Sequence, residues 1–152
     1  IQLLRELGVE AAMVSAGGDS RYLGNRGVDG NAKEIPWMIA IRHPRYEHQH
    51  ALRMPISDAA VSTSGDYERY FMDGEERVHH ILSPKTGESA SEVVSVTVLG
   101  ERSTDCDALS TAVFVLGVEK GVALIDSLDG YDAVVIDKKG KVHYSSGLSA
   151  EN

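Results

Sequence analysis

The residues best suited to chemistry lie between 104 and 117. Asp107 and Thr111 are four apart in a stretch whose apolar positions, Cys106, Leu109, Val113 and Leu116, recur at helical spacing and predict one buried stripe. Residues four apart are neighbours on a helix surface, so the carboxylate and the hydroxyl share another face. Both are hard oxygen donors. Magnesium takes one or two such ligands from a protein and completes its shell with water and substrate phosphates, and a helix N-terminus favours anionic phosphate beside it. The same residues also have a structural reading. Thr104 as N-cap with Asp107 at the third helical position is a variant of the capping box, and Thr111 can bond back to the carbonyl of residue 107. Spacing leaves both open.

Three further stretches offer polar chemistry. Thr63-Ser64-Gly65-Asp66-Tyr67-Glu68-Arg69 is a small polar run with a glycine between two expected strands. It supplies hydroxyl and backbone donors for a phosphate, or merely joins the strands. His79-His80-Ile81-Leu82-Ser83-Pro84-Lys85-Thr86-Gly87 carries two adjacent histidines, which in a strand face opposite sides and so do not chelate one metal together. One facing a cleft would donate to a phosphate or move a proton. Gly17-Gly18-Asp19 allows positive φ or a close backbone approach to a ligand. Tyr46 to His50 holds His48 and His50, and reads as a solvated loop rather than a metal site. No Gly-x-Ser-x-Gly elbow, Walker A loop or Gly-x-Gly-x-x-Gly occurs.

The elements that must position these residues follow from hydrophobic patterning. Val9–Ser15 reads as a buried strand, continued after the glycine turn by Arg21–Gly24, and 25–34 reads as a loop. Trp37–Ile41, Ala51–Met54 and Ala59–Thr63 are expected strands. Residues 66–72 and 77–82 form an expected hairpin about Asp73-Gly74. Val93–Leu99 alternates and reads as a half-buried strand. Two helices follow, Asp105–Leu116 ended by Gly117, then 119–128. A last hairpin, 131–136 with 141–144, turns at Lys139-Gly140. Strands, a helix pair, then strands again make an α+β fold with a mostly antiparallel sheet and the helix pair near the C-terminal end.

The chain has 152 residues, 42% hydrophobic and 25% charged, enough for one domain with a real core. A formal charge of -8 argues against a nucleic-acid binder, which needs a basic face. It permits one phosphate-bearing small molecule where a metal ion supplies positive charge. The single cysteine, Cys106, excludes an internal disulfide and a cysteine-rich zinc site. Ile1–Gly8 resembles the last turns of an amphipathic helix without its own N-cap. The sequence is therefore expected to be part of a longer protein, with any targeting signal outside it.

Taken in order, Ala16-Gly17-Gly18-Asp19, Ser62 to Arg69, His79 to Gly87, Ser95-Val96-Thr97-Val98, and Asp107-Ala108-Leu109-Ser110-Thr111-Ala112 to Gly117 resemble the C-terminal half of the ApbE family, the FAD:protein FMN transferases formerly called thiamine biosynthesis lipoproteins. The likeness runs from about Val14 to Tyr144. It implies a magnesium-dependent enzyme that cleaves the diphosphate of FAD and joins FMN through a phosphoester to a threonine or serine of a target flavoprotein, releasing AMP. It implies metal ligands at Asp107 and Thr111, with a contribution from Ser110. Flavin-nucleotide contacts fall at Thr63, Ser64, Gly65, His80 and Leu82, and His80 takes the catalytic role. The resemblance also implies a missing N-terminal half, without which the fragment is inactive, and a cell-envelope location through a lipid anchor carried there. FAD hydrolysis to FMN and AMP, or non-catalytic flavin binding, are the competing functions. Ser83 stands where the family usually has aspartate, and Glu88-Ser89 where it usually has Tyr-Pro or similar.

Overall fold

The computed structural model describes residues 1–149. The chain opens with α1 (Gln2–Glu6), β1 (Ala12–Ala16), β2 (Asp19–Leu23), β3 (Gly27–Val28), β4 (Glu34–Ile35), β5 (Trp37–Arg42) and β6 (His50–Ile56). It continues through β7 (Ala60–Gly65), β8 (Tyr70–Asp73), β9 (Glu76–His79) and β10 (Val93–Gly100). It closes with α2 (Ser103–Leu116), α3 (Val118–Asp126), β11 (Asp132–Asp137), β12 (Val142–Tyr144) and α4 (Ser146–Ser149). The expected α+β architecture is observed.

One six-stranded sheet, ordered β1-β2-β7-β10-β11-β12, is antiparallel throughout. Helices α2 and α3 cover one face. There Phe114, Val113, Cys106 and Ile125 pack onto Ala60, Val96, Val98, Ala133 and Val135. The β5–β6 hairpin covers the other face, where Ile39 and Ile56 meet Leu99, Val61 and Tyr22. The β8–β9 hairpin extends from the end of β7.

This layering corrects three expectations. Val93–Leu99 is not half-buried: β10 is buried on both faces except at its last residue. Its alternate positions Ser95 and Thr97 look solvent-facing in sequence. Inside the fold, however, the Tyr67 hydroxyl lies 3.3 Å from Ser95 and the Thr63 hydroxyl 2.9 Å from Thr97, so burial leaves neither unpaired. The expected buried strand at 9–15 is β1, exposed along most of its length because it is the outermost strand of the sheet among the described residues. The stretch 25–34 contains the small β3–β4 pair rather than a plain loop.

Turns follow glycine. Gly17 and Gly18 take φ of 66° and 106° between the paired residues Ala16 and Asp19, the two-residue hairpin that only positive φ closes without splaying the strands. The β8–β9 turn is one residue later than expected. Asp73 pairs with Glu76, and Gly74 with Glu75 makes the turn, because the positive φ falls on Gly74.

Helices α2 and α3 meet at Gly117, and the Glu92 carboxylate accepts the Val118 N–H at 3.0 Å. They approach closely at Gly121, where a Cβ would lie 2.7 Å from Val113 Cγ1 and 3.0 Å from the Val113 carbonyl oxygen. Gly121→Leu therefore has to separate the two helices. We expect a loss of about 2 kcal/mol in urea unfolding, and a loss under about 0.5 kcal/mol would contradict this packing.

Candidate functional site

Helix α2 carries the candidate metal ligands, and its start differs from expectation. The N-cap is Arg102, in extended conformation with φ -117° and ψ 124°, and it makes no side-chain cap bond. The Arg102 carbonyl instead accepts from the Asp105 and Cys106 N–H groups at 3.1 and 3.0 Å. Thr104 is thus inside the helix, and Asp107 is its fifth residue rather than part of a capping box. Asp105 occupies the third position and accepts from the Tyr131 hydroxyl at 2.8 Å, which ties the helix start to the approach to β11. That bond is the leading reason the Tyr131 phenol is raised above its usual range, followed by burial.

The buried stripe of α2 is Cys106, Ser110, Val113 and Phe114, with Leu116 left 42% exposed. Rotating the stripe this way leaves Asp107 and Thr111 together on the exposed side. It also turns Ser110 inward against β7. The Ser110 hydroxyl donates to the Asp107 carbonyl at 2.9 Å and lies 2.8 Å from Ser64 Oγ, which in turn lies 3.0 Å from Thr111 Oγ1. Thr111 Oγ1 is 3.4 Å from the same Asp107 carbonyl. Ser64, Ser110, Thr111 and Asp107 are therefore one cluster.

Asp107 faces a cleft of about 560 Å³ with Asp19, Arg21, Glu101, Arg102 and Thr104. Asp19 is the last residue of the glycine turn motif, and it accepts a short hydrogen bond from the Ser62 hydroxyl. Ser62 and Ser64 share the α2 face of β7, so that face carries polar side chains directly beneath the cluster. Beside them Cys106 is inert. Its thiol is pushed up to about 11, first by burial and then by the charges of Asp105 and Asp19.

A donor set of one carboxylate and one hydroxyl on adjacent helical turns is chemically suited to magnesium, which prefers oxygen and keeps water and phosphate in its shell. Among the described residues no group of three or more His, Cys, Asp or Glu residues gathers to enclose a metal. The fit to magnesium therefore rests on the chemistry of the Asp107 and Thr111 oxygens alone.

The other candidates lie elsewhere on the sheet. Thr63 faces away from α2, toward a separate cleft of about 260 Å³ with Gly18, Ser20, Tyr22, Arg42 and Glu68. Thr63 and Ser64 therefore cannot meet one group side by side. β2 pairs with β7 at Ala60 and Val61, while Gly65 at the far end of β7 is buried and its carbonyl accepts the Glu68 N–H at 3.5 Å. A Cβ at Gly65 would meet the Tyr67 ring at 2.6 Å, which requires glycine there.

The two histidines differ in burial as expected, but the strand expected to reach Leu82 ends at His79, and His80 lies just beyond it. His79 is buried, with Nε2 donating to the Ala90 carbonyl at 3.0 Å and Nδ1 accepting the Ile81 N–H at 3.3 Å. Its ring stands edge-on to Phe114 at 5.5 Å. His80 is exposed, and its Nδ1 lies 3.2 Å from the Arg69 carbonyl. A carbonyl only accepts, so in neutral His80 the proton is on Nδ1 and the Nε2 lone pair faces outward. Leu82 is 51% exposed beside it. Neither His80 nor Leu82 makes a hydrogen bond to the Asp107–Thr111 cluster among the described residues.

Asp66 holds this region in place. It is 5% exposed and takes Arg45 in two bonds, at 2.8 and 2.6 Å, and Arg77 of β9 at 3.2 Å. These partners are distant in sequence, and the polar run around Asp66 gave no sign of them. The residues that depart from the family pattern serve the loop well. Ser83 Oγ accepts the Lys85 N–H at 3.3 Å, the turn-forming role an aspartate side chain also performs. Ser89 Oγ accepts from His79 N–H and donates to its carbonyl, both at 2.9 Å.

Comparison with known proteins finds the same architecture and sequence pattern. The model of the ApbE family matches residues 1–135. The FAD:protein FMN transferase of Treponema pallidum (strain Nichols) is 40% identical over 153 aligned positions, covering 97% of this chain and 42% of that protein. The protein of the same name from Escherichia coli (strain K12) is 33% identical and covers 91% of this chain and 38% of its own. Among solved structures, the ApbE protein of Thermotoga maritima superposes with a TM-score of 0.83 at 36% identity, over 97% of this chain and 47% of that one. The flavin transferase ApbE of Vibrio cholerae gives 0.74 at 32% identity, over 97% and 46%. The chain thus spans a little under half the length of the relatives it matches.

Proposed function

Because the chain belongs to the ApbE family, we propose that it serves the transfer of FMN from FAD to a threonine or serine hydroxyl of a target flavoprotein. The observation that carries this reading is the Ser64–Ser110–Thr111–Asp107 cluster, which supplies hard oxygen donors at the helix face that the sequence pattern marks. The acceptor hydroxyl oxygen attacks the FMN phosphorus of the FAD diphosphate. The bond from that phosphorus to the bridging oxygen breaks, and AMP leaves with the electron pair. Asp107 and Thr111 would hold magnesium, which supplies positive charge to the phosphate oxygens as the bond breaks.

His80 receives the acceptor hydroxyl proton at Nε2, the ring nitrogen its bond to Arg69 leaves free. In this proposal the flavin nucleotide contacts are Thr63, Ser64, Gly65, His80 and Leu82, a set that rests on the family resemblance, with Thr63 and Ser64 on opposite faces of β7 and so assigned to different parts of the nucleotide. Ser110 contributes from beneath, since its hydroxyl is wholly buried. These residues form the C-terminal part of a longer flavin-transferase domain in this proposal. Its location at the cell envelope, through an upstream lipid anchor, is a further part that rests on the family resemblance.

The test is incubation of the family-length protein with FAD, magnesium and an acceptor flavoprotein, read as flavin fluorescence on the denatured acceptor together with released AMP. We expect one AMP per flavinylated acceptor and little FAD loss without acceptor. Equal AMP release without acceptor indicates hydrolysis instead, and bound but unchanged FAD indicates carriage. The 152 residues alone are expected to transfer none.

A further inference from the structure

The loop between β5 and β6 is folded around a neutral histidine. His43 Nδ1 accepts the backbone N–H groups of Arg45 and Tyr46, at 3.1 and 3.2 Å. A backbone N–H only donates, so Nδ1 carries no proton and the imidazole is the neutral tautomer protonated at Nε2. The opposite ring orientation would set a carbon-bound hydrogen against both amides. The Tyr46 ring lies 4.6 Å from the imidazole, centroid to centroid, so the ring is packed within its own turn. The His43 N–H donates to the Gln49 carbonyl at 2.9 Å and closes the base of the loop.

The turn has a longer reach through Arg45. The Arg45 guanidinium crosses to Asp66 and takes both carboxylate oxygens, at 2.8 and 2.6 Å. Asp66 also takes Arg77 of β9, so the loop is tied to the hairpin that ends beside His80. Charged groups share the clefts on either side of His43. Arg42, Arg45, Arg77 and Lys138 oppose a further positive charge there, whereas Glu47 and Asp137 favour one. Glu68 pairs with Arg42, and Asp66 with Arg45 and Arg77. His48, Tyr67 and Tyr70 are the other titratable groups lining the first of these clefts. None of these side chains takes part in the two bonds at Nδ1, which a proton on that atom forfeits together.

We propose that His43 is a pH-sensitive latch: neutral, it closes the turn that brings Arg45 to Asp66, and protonated at Nδ1 it releases that turn. The closed loop binds one proton fewer than the open loop. Closure therefore strengthens as pH rises and weakens as pH falls. An imidazole makes this change between about pH 5 and about pH 8. One proton alters the ratio of closed to open loop by at most about tenfold per pH unit.

The test is amide hydrogen exchange of the family-length protein at about pH 7.5 and about pH 5.5, each rate divided by that of an unstructured peptide at the same pH. Protection of the Arg45 and Tyr46 amides is expected to fall about tenfold at the lower pH, with exchange of the Arg45 guanidinium protons rising in step. The Val96 and Val98 amides of β10 are expected to keep their protection. His43→Asn, whose side-chain oxygen accepts without titrating, is expected to hold protection at Arg45 and Tyr46 equally at both pH values. His43→Ala is expected to lack it at both. Protection that persists at the lower pH in the unmodified protein, or that falls as much in His43→Asn, overturns the latch. A fall shared by Val96 and Val98 marks general acid unfolding and also overturns it. Guanidinium exchange that does not follow the amides removes the link to Asp66, and the proposal with it.

Discussion

Asp107→Ala in the family-length protein is expected to reduce FMN transfer about a thousandfold while leaving FAD binding within a fewfold and folding stability nearly unchanged. A thousandfold corresponds to roughly 4 kcal/mol of transition-state stabilisation, within what a metal ligand supplies. The fold makes this test cleaner than sequence suggests. Had Asp107 been part of a capping box, its loss would cost about 1 kcal/mol of stability, and lower activity would be ambiguous. The helix begins at Ser103 under an Arg102 cap, so Asp107 lies in the second turn and its side chain makes no cap bond. Its carboxylate faces the cleft shared with Asp19 and Arg102. Stability loss in urea above about 1 kcal/mol, or transfer within tenfold of the unmodified protein, would remove Asp107 from the site.

What the sequence made legible was local, or carried by ordered motifs. The glycine pair at 17 and 18, the stop at Gly117 and the turn at Gly140 are visible because positive φ is a property of one residue. His79 and His80 differ in burial as strand alternation suggests, although β9 ends at His79 and His80 lies just past the strand. The choice of buried stripe on α2 was not legible. Spacing admits both Cys106–Leu109–Val113–Leu116 and Cys106–Ser110–Val113–Phe114, and hydrophobicity ranks Leu116 above Ser110. The fold buries Ser110 because Ser64 and the Asp107 carbonyl satisfy its hydroxyl, and that partner lies 46 residues away. The same holds for β10, whose serine and threonine positions look exposed until Tyr67 and Thr63 are brought over them. Long-range polar pairing decides both cases, and no local pattern encodes it. The candidate site shows the same division. Asp107 and Thr111 were evident as an i, i+4 pair, whereas Ser64, Asp19 and Asp66 acquire partners only when α2, β7 and the loops and hairpins around them come together.

Phe114→Ala is expected to be the most damaging single change to stability, costing about 3–5 kcal/mol. Phe114 is fully buried in the cluster that joins α2 to the sheet, and its ring meets the His79 edge at 5.5 Å and 77°. Truncation opens a cavity between helix and sheet and removes the aromatic contact that steadies His79. His79 holds Ala90 and Ile81 through its two ring nitrogens, so loosening it frees the strand end that presents His80. The loss is a large share of a stability of about 5–15 kcal/mol for a domain. Phe114→Leu keeps most of the volume and should cost under about 1.5 kcal/mol. Urea unfolding of both variants gives the comparison, with amide exchange at Ile81 and His80 as the local readout. If Phe114→Ala and Phe114→Leu destabilise equally, the cost lies in the aromatic contact with His79 and not in the cavity. If neither exceeds about 1 kcal/mol, α2 does not depend on this anchor. In the expected case, exchange at Ile81 and His80 rises with Phe114→Ala far more than with Phe114→Leu, because the cavity leaves the His79 imidazole without the ring that packs against it and loosens its bonds to Ala90 and Ile81.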